Sequence, residues 1–324
     1  MIKVFNNATS GQIFQTIANC FLDYMPTDTF QETGDIQDAD IIFGTGTIRG
    51  NQVDVNISHH QKVNLSNLQT LSNLYGAMAE KRWVIWFDTV GPNVNKSRGL
   101  FDHKTTGLRD TDIFISSVSV SKKPNAFTHL YPVEKNLFKS TGRYERKPKS
   151  VVISHDNILN SSDPSEDTIS IVKGILDEVS HLYVTNRAEL DETVKLAFRD
   201  NLDKVSCQQL SYPKDVAYQL AQAEFVLSTP TKLGAEFMGI EGGMTGCQPI
   251  YPDTPFYRDI YEDTGVVFFD TNDPIESLKS IIQIGSNFDK ETTDNFRTKF
   301  SAEDNLPDFW EKVHQLLSNE SKST

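Results

Sequence analysis

The stretch WVIWFDTVGP, residues 83–92, closes a near-continuous apolar run on a single acid, Asp88, before Gly91 and Pro92 turn the chain. Parallel sheets open to ligands at the carboxyl ends of their strands, so a carboxylate there is placed to take a proton from a hydroxyl group. Its competing role is to cap the turn that follows. The next loop, NVNKSRGLFDHK, carries Lys96, Arg98, His103 and Lys104, charges suited to phosphate oxygens, with simple solubility of an exposed loop as the alternative. A second acid, Glu241, stands in GIEGGMTGCQPIY where a helix is expected to begin, ahead of Gly242, Gly243 and a short apolar strand. An acid in a first helical turn also has a purely structural use, because it complements the helix dipole.

Other motifs carry less. GTGTIRG, residues 44–50, has three residues rather than two before its last glycine, and the alternating QVDVNIS that follows reads as a strand, which excludes a dinucleotide fingerprint. The acidic triplets Asp38–Asp40 and Asp110–Asp112 match the paired acids of metal-dependent sugar transferases, yet both precede apolar strands, where polar turn residues belong in any case. Cys20, Cys207 and Cys247 are too scattered for a disulfide framework or a metal site and read as small buried side chains in a reducing cytoplasm.

The elements that would position these acids alternate. Strand-like runs at 2–5, 40–44, 83–87 and 112–116 are interleaved with helix-like runs at 12–24 and 67–80, and the pattern restarts at 151–154. From there strands at 181–185, 225–228, 248–251 and 266–269 alternate with helices at 168–179, 215–223, 240–245 and 275–284. Such alternation predicts an α/β architecture of two Rossmann-like domains facing across a cleft. The boundaries fall at 1–145 and 146–305, with the polar TGRYERKPK segment as hinge, and residues 306–324 follow as a helix and tail. Trp310, Val313 and Leu317 are near helical spacing, which suits packing back onto the first domain.

A chain of 324 residues fits two domains. Its start lacks a secretory segment and no apolar run is long enough to span a membrane, so the expectation is a soluble cytoplasmic protein. A formal charge of −13 argues against a broad polyanion-binding surface, but residues 122–149 carry eight Lys and Arg against two Glu and leave a local basic patch.

Three blocks resemble the GT-B sugar-nucleotide glycosyltransferases. LYPVEKNLF is similar to the segment that closes the first domain of that family, with Pro132, Val133, Glu134 and Phe138 in matching places. Glu241, Met244, Gly246, Pro249 and Ile250 fall on the family's L-E-A-M-A-x-G-x-P-V-I motif, and residues 264–282 on the segment after it. The resemblance implies that Glu241 holds the ribose hydroxyls of a UDP-sugar, UDP-glucose or a relative, with Gly242, Gly243 and nearby amides beside it; a carboxylate accepts two bonds from a vicinal diol. A divalent metal is compatible with this scheme and not required by it. Leu233 stands where the family has an earlier glutamate, and SHDNILNSSDP lacks the usual arginine and lysine for the diphosphate. Lys232, Arg187, His155 or a basic hinge residue are expected to substitute.

Within the family, the phage enzymes that glycosylate hydroxymethylpyrimidines in DNA are similar over residues 67–92, where the match places Asp88 on their catalytic base, and over EGGMTGCQPIYP and GVVFFDTNDPIES. The resemblance implies a double-stranded DNA acceptor, tracked by Lys96, Arg98, His103, Lys104, Arg143 and Arg146, and the host cytoplasm as location if the gene is a phage's. One block resembles an inverting enzyme and another a retaining one; Asp88 as base favours inversion. Two rivals stay open: transfer to a surface glycan or small molecule, and a degenerate GT-B module that binds without turning over.

Overall fold

A computed structural model describes residues 1–7, 12–49, 52–57, 61–64, 81–90, 112–116, 125–139, 146–159, 168–186, 192–229 and 237–320. Contacts gather the chain into two compact units, one of residues 1–132 with 301–324 and one of 133–231 with 236–300.

The first unit is built on strands β1 (Ile2–Asn6), β2 (Phe30–Thr33), β3 (Ile41–Arg49), β4 (Gln52–Ile57), β5 (Gln61–Asn64), β6 (Arg82–Val90), β7 (Ile113–Ser116) and β8 (Ala126–Thr128), with helix α1 (Gln12–Asp23) after β1. They order as β2-β1-β3-β6-β7-β8, all parallel, and β4 and β5 extend β3 as an antiparallel meander. Strands β6 and β7 are buried on both faces at Trp83, Val84, Ile85, Trp86, Ile113, Phe114 and Ile115, which is why they read as unbroken apolar runs rather than alternating ones. The expected helix at 67–80 lies outside the described residues. Both acidic triplets meet main chain where they are described: the Asp40 carboxylate accepts from the Lys3 amide at 2.7 Å and that of Asp112 from the Trp83 amide at 3.0 Å.

In the second unit the chain runs β9 (Lys147–Ser154), α2 (His155–Leu159), α3 (Thr168–Gly174), β10 (His181–Asn186), α4 (Glu192–Ala197), β11 (Val205–Gln209), α5 (Lys214–Gln222), β12 (Ala223–Leu227), α6 (Phe237–Thr245), β13 (Gln248–Pro252), α7 (Pro255–Tyr261), β14 (Val267–Phe269), α8 (Pro274–Ile284) and α9 (Lys290–Phe300). Its six strands are parallel in the order β11-β10-β9-β12-β13-β14. One sheet face presents Val151, Ile153, Leu182, Val184, Phe225 and Leu227 to Val172 of α3 and to Leu278 and Ile282 of α8. Burying each such side chain contributes about 1.5–3 kcal/mol. Two parallel-sheet α/β units therefore make up the chain.

The last helix, α10 (Ala302–Glu320), belongs to the first unit. Ser301 starts it as a reciprocal cap, accepting from the Asp304 amide at 3.2 Å and donating to the Asp304 carboxylate at 2.8 Å. The Trp310 indole N–H donates to the Phe21 carbonyl of α1 at 2.7 Å, and its ring packs on Phe30 and Phe43 at 5.0 and 5.8 Å.

His129 is enclosed by the rings of Phe21 and Phe309 at 5.6 and 5.0 Å. Burial pushes its imidazole below the ordinary value, against the opposing pull of the Leu130 and Asn305 carbonyls at 2.7 and 3.4 Å. The unfolded chain then binds the proton first, so stability is complete above about pH 6.5 and is lost as pH falls from there through the folded-state value. His181, also lowered by burial and by Lys147, acts in the same direction. We predict a melting temperature that drops between about pH 7 and pH 5, with a shallower drop in His129→Leu; an equal slope in the two proteins would contradict the assignment.

Candidate functional site

In the second unit the crossovers diverge at β9. The chain leaves β9 for β10 and β11 on one side and returns through α5 to β12 on the other, so the carboxyl ends of β9 and β12 flank the topological switch point where open α/β sheets take ligands. Strand β9 ends at Ser154 and hands on to His155; β12, in register through Leu227 opposite Ile153, hands on to Ser228 and Thr229.

This edge collects buried polar side chains. His155, Asn157, Thr168, Thr185, Ser228 and Thr229 are all buried. The hydroxyls of Thr168 and Thr229 lie 3.1 Å apart and tie the start of α3 to the end of β12. The Asn157 side-chain nitrogen and the Ser228 hydroxyl have no hydrogen-bond partner among the described residues. An unsatisfied buried polar group costs about 1–3 kcal/mol, so two at one sheet edge make it a candidate place for a ligand to supply the missing partner. An amide nitrogen donates only, and a hydroxyl does so readily; both suit an acceptor such as a phosphate oxygen.

Glu241 is the fifth residue of α6, because the helix begins at Phe237 rather than at the acid itself. Its carboxylate is fully buried, and one oxygen accepts from the Tyr212 hydroxyl at 3.0 Å. Tyr212 follows β11, and its ring meets Phe138 at 6.1 Å. The first turn of α6 meets the end of β10 where the Thr185 hydroxyl points at the Met238 sulfur at 3.8 Å, which sets Glu241 toward the carboxyl edge of the sheet.

Gly242 and Gly243, expected beside the nucleotide, occupy tightly packed positions. A Cβ on Gly242 would lie 2.4 Å from the Val226 side chain of β12, and one on Gly243 would lie 2.4 Å from the Phe296 ring of α9. The helix is pressed between sheet and helix, and with α6 starting at Phe237 their amides belong to its interior hydrogen-bond ladder. Amides open to an anion belong to the first turn of a helix.

Arg146, expected to meet DNA, is engaged with main chain. It precedes β9 at the amino edge of the sheet, opposite the switch point, and its guanidinium donates to the carbonyls of Leu220 and Ala223 at 3.4 and 2.5 Å and of Thr245 at 2.6 Å. It thereby closes the carboxyl ends of α5 and α6, where cations complement the dipole. Arg146→Ala is expected to cost about 1.5–3 kcal/mol of stability, read as a lower urea midpoint; an unchanged midpoint would contradict this role.

Asp88 lies inside β6, paired across from Thr47, since the strand continues through Val90 beyond its expected end at Phe87. Lys96, Arg98, His103, Lys104, Arg143, Arg187 and Lys232 fall outside the described residues. The switch point of the first unit lies between β1 and β3, where Asn7 and Thr45 are buried and the Thr45 hydroxyl has no partner among the described residues. Among the described residues no three His, Cys, Asp or Glu side chains gather to hold a metal ion, and no described helix is long and apolar enough to cross a membrane. Asn157, Ser228 and Tyr212 were not legible beforehand; the one signal was the polar Ser-Thr pair after an apolar strand.

No family model and no curated protein matches the sequence. Solved structures do. HepE of Anabaena, in complex with UDP and glucose, superposes with a TM-score of 0.63 at 9% identity, covering 98% of this chain and 100% of that one. Sucrose-phosphate synthase of Thermosynechococcus elongatus gives a TM-score of 0.63 at 12% identity over 98% and 100% of the two chains. The fold is that of the GT-B glycosyltransferases. TarM of S. aureus shares this fold with a TM-score of 0.51 at 13% identity over 83% of this chain, which spans only 62% of TarM's length. The β9/β12 switch point belongs to the second unit, and Asp88 to the first.

Proposed function

We propose that the chain is a glycosyltransferase that takes its sugar from a UDP-sugar and passes it to a hydroxyl acceptor. One observation carries the reading: a GT-B fold shared end to end with HepE, a protein solved with UDP, whose nucleotide half here holds buried hydrogen-bonding groups without partners at its switch point. In this scheme Asn157 and Ser228 donate to the diphosphate, His155 borders it, and Glu241 accepts from the ribose hydroxyls. Lys232 and Arg187 are proposed to add charge to the diphosphate. Asp88 takes the proton of the acceptor hydroxyl as the glycosidic bond forms, and UDP leaves with the electron pair of the broken bond. The chemistry takes place in the cytoplasm.

For the acceptor we propose the hydroxymethyl group of a 5-hydroxymethylpyrimidine in phage DNA, supported by the similarity of residues 67–92 and 241–252 to the phage enzymes and by Lys96, Arg98, His103, Lys104 and Arg143. A base bearing that group has to leave the stack to reach an active site. A glycan or small-molecule acceptor is the second reading, favoured by the charge of −13 and by the engagement of Arg146 with main-chain carbonyls. The test is UDP release from UDP-glucose with hydroxymethylated duplex DNA, unmodified duplex and no acceptor. Release that depends on the hydroxymethyl group supports the DNA reading. Release without that dependence leaves transfer and removes DNA, and no release with any acceptor or UDP-sugar overturns the enzyme reading.

A further inference from the structure

The carboxylate expected to meet a ribose is already occupied. Glu241 is fully buried, and the Tyr212 hydroxyl donates to it at 3.0 Å. Tyr212 itself is only half-buried, with Phe138 packed on its ring at 6.1 Å. The contact joins elements that the sheet order holds apart, because Tyr212 follows edge strand β11 whereas α6 leads from β12 to β13. A nucleotide diol and the Tyr212 hydroxyl are chemically alike toward Glu241: each is an O–H donor seeking the same oxygens.

We infer that Tyr212 is a competing internal ligand of Glu241, a hydroxyl that holds the carboxylate while the site is empty and yields it to the ribose when the nucleotide binds. The inference rests on the UDP-sugar reading of this site. Its consequence is a pair of effects of opposite sign. Removing the hydroxyl takes a stabilising bond from the empty protein, and it also removes what the nucleotide has to displace. A hydroxyl with a purely structural role would lower stability and leave affinity alone or weaken it.

The test is calorimetric titration of UDP into the full chain, unaltered and as Tyr212→Phe, with a thermal melt of each. The expected result is a lower melting temperature in Tyr212→Phe together with UDP binding tighter by about tenfold, the scale of a hydrogen bond to a charged group. In a Glu241→Ala background, with folding confirmed by its melt, the same change is expected to leave UDP affinity where it was. Unchanged or weaker binding in Tyr212→Phe overturns the inference while leaving the UDP reading intact. Absence of UDP binding by the unaltered chain removes that reading, and the inference with it.

Discussion

Asp88→Ala is expected to lower the turnover rate by a factor of about 10²–10⁴, the range a positioned general base supplies, while UDP affinity stays unchanged. The separation follows from where the residues lie. Asp88 belongs to β6 of the first unit, held in register by its pairing with Thr47, whereas His155, Asn157, Ser228 and Glu241, proposed to meet the nucleotide, belong to the second. In the proposed mechanism, losing the carboxylate leaves the acceptor hydroxyl without a proton acceptor and leaves the proposed nucleotide groups in place. Initial rates with saturating UDP-sugar, beside a UDP titration, check both halves. Turnover retained within twofold would remove Asp88 from the mechanism, and a parallel loss of UDP affinity would show that it supports structure instead.

The second large effect is on binding. Glu241→Ala is expected to weaken UDP by about tenfold to a hundredfold, because two hydrogen bonds from the ribose to a charged acceptor are lost, against the bond from Tyr212 that no longer has to be displaced. Free uracil, which brings no diol, is expected to lose nothing. Equal weakening of UDP and uracil would show that the variant has disturbed the site as a whole. Unchanged UDP affinity would make Glu241 a structural acid of α6.

Much of the fold could be read in advance, since strands buried on both faces announce themselves. Val151 to Ile153, Phe225 to Leu227 and Trp83 to Trp86 are unbroken apolar runs, and each lies within a parallel strand. Trp310 and Val313 likewise sit buried on the inner face of α10, as their spacing requires. Strands β2 and β11 escaped notice because they lie at sheet edges, where FQET and VSCQQ need only one covered face and carry polar residues.

The site was less legible, for a related reason. Composition shows that Asn157 and Ser228 are polar, but their burial without partners depends on which strands become neighbours, and the order β10-β9-β12 is a long-range fact. Gly242 and Gly243 were ambiguous in the opposite way. Glycines beside an acid suit close approach to a phosphate, and they equally suit close approach to Val226 and Phe296; only the packed structure separates the two. Arg146 followed the same logic, a cation in a basic stretch that turns out to close two helices.

The most direct test of the central claim is amide hydrogen exchange on the full chain with and without saturating UDP. Slowed exchange is expected at residues 154–158 and 228–229, where β9 and β12 end, with no change at 147–150 and 245–247 on the opposite edge of the same sheet. Exchange unaltered by UDP, or slowed at the opposite edge alone, would contradict a nucleotide seated at the switch point.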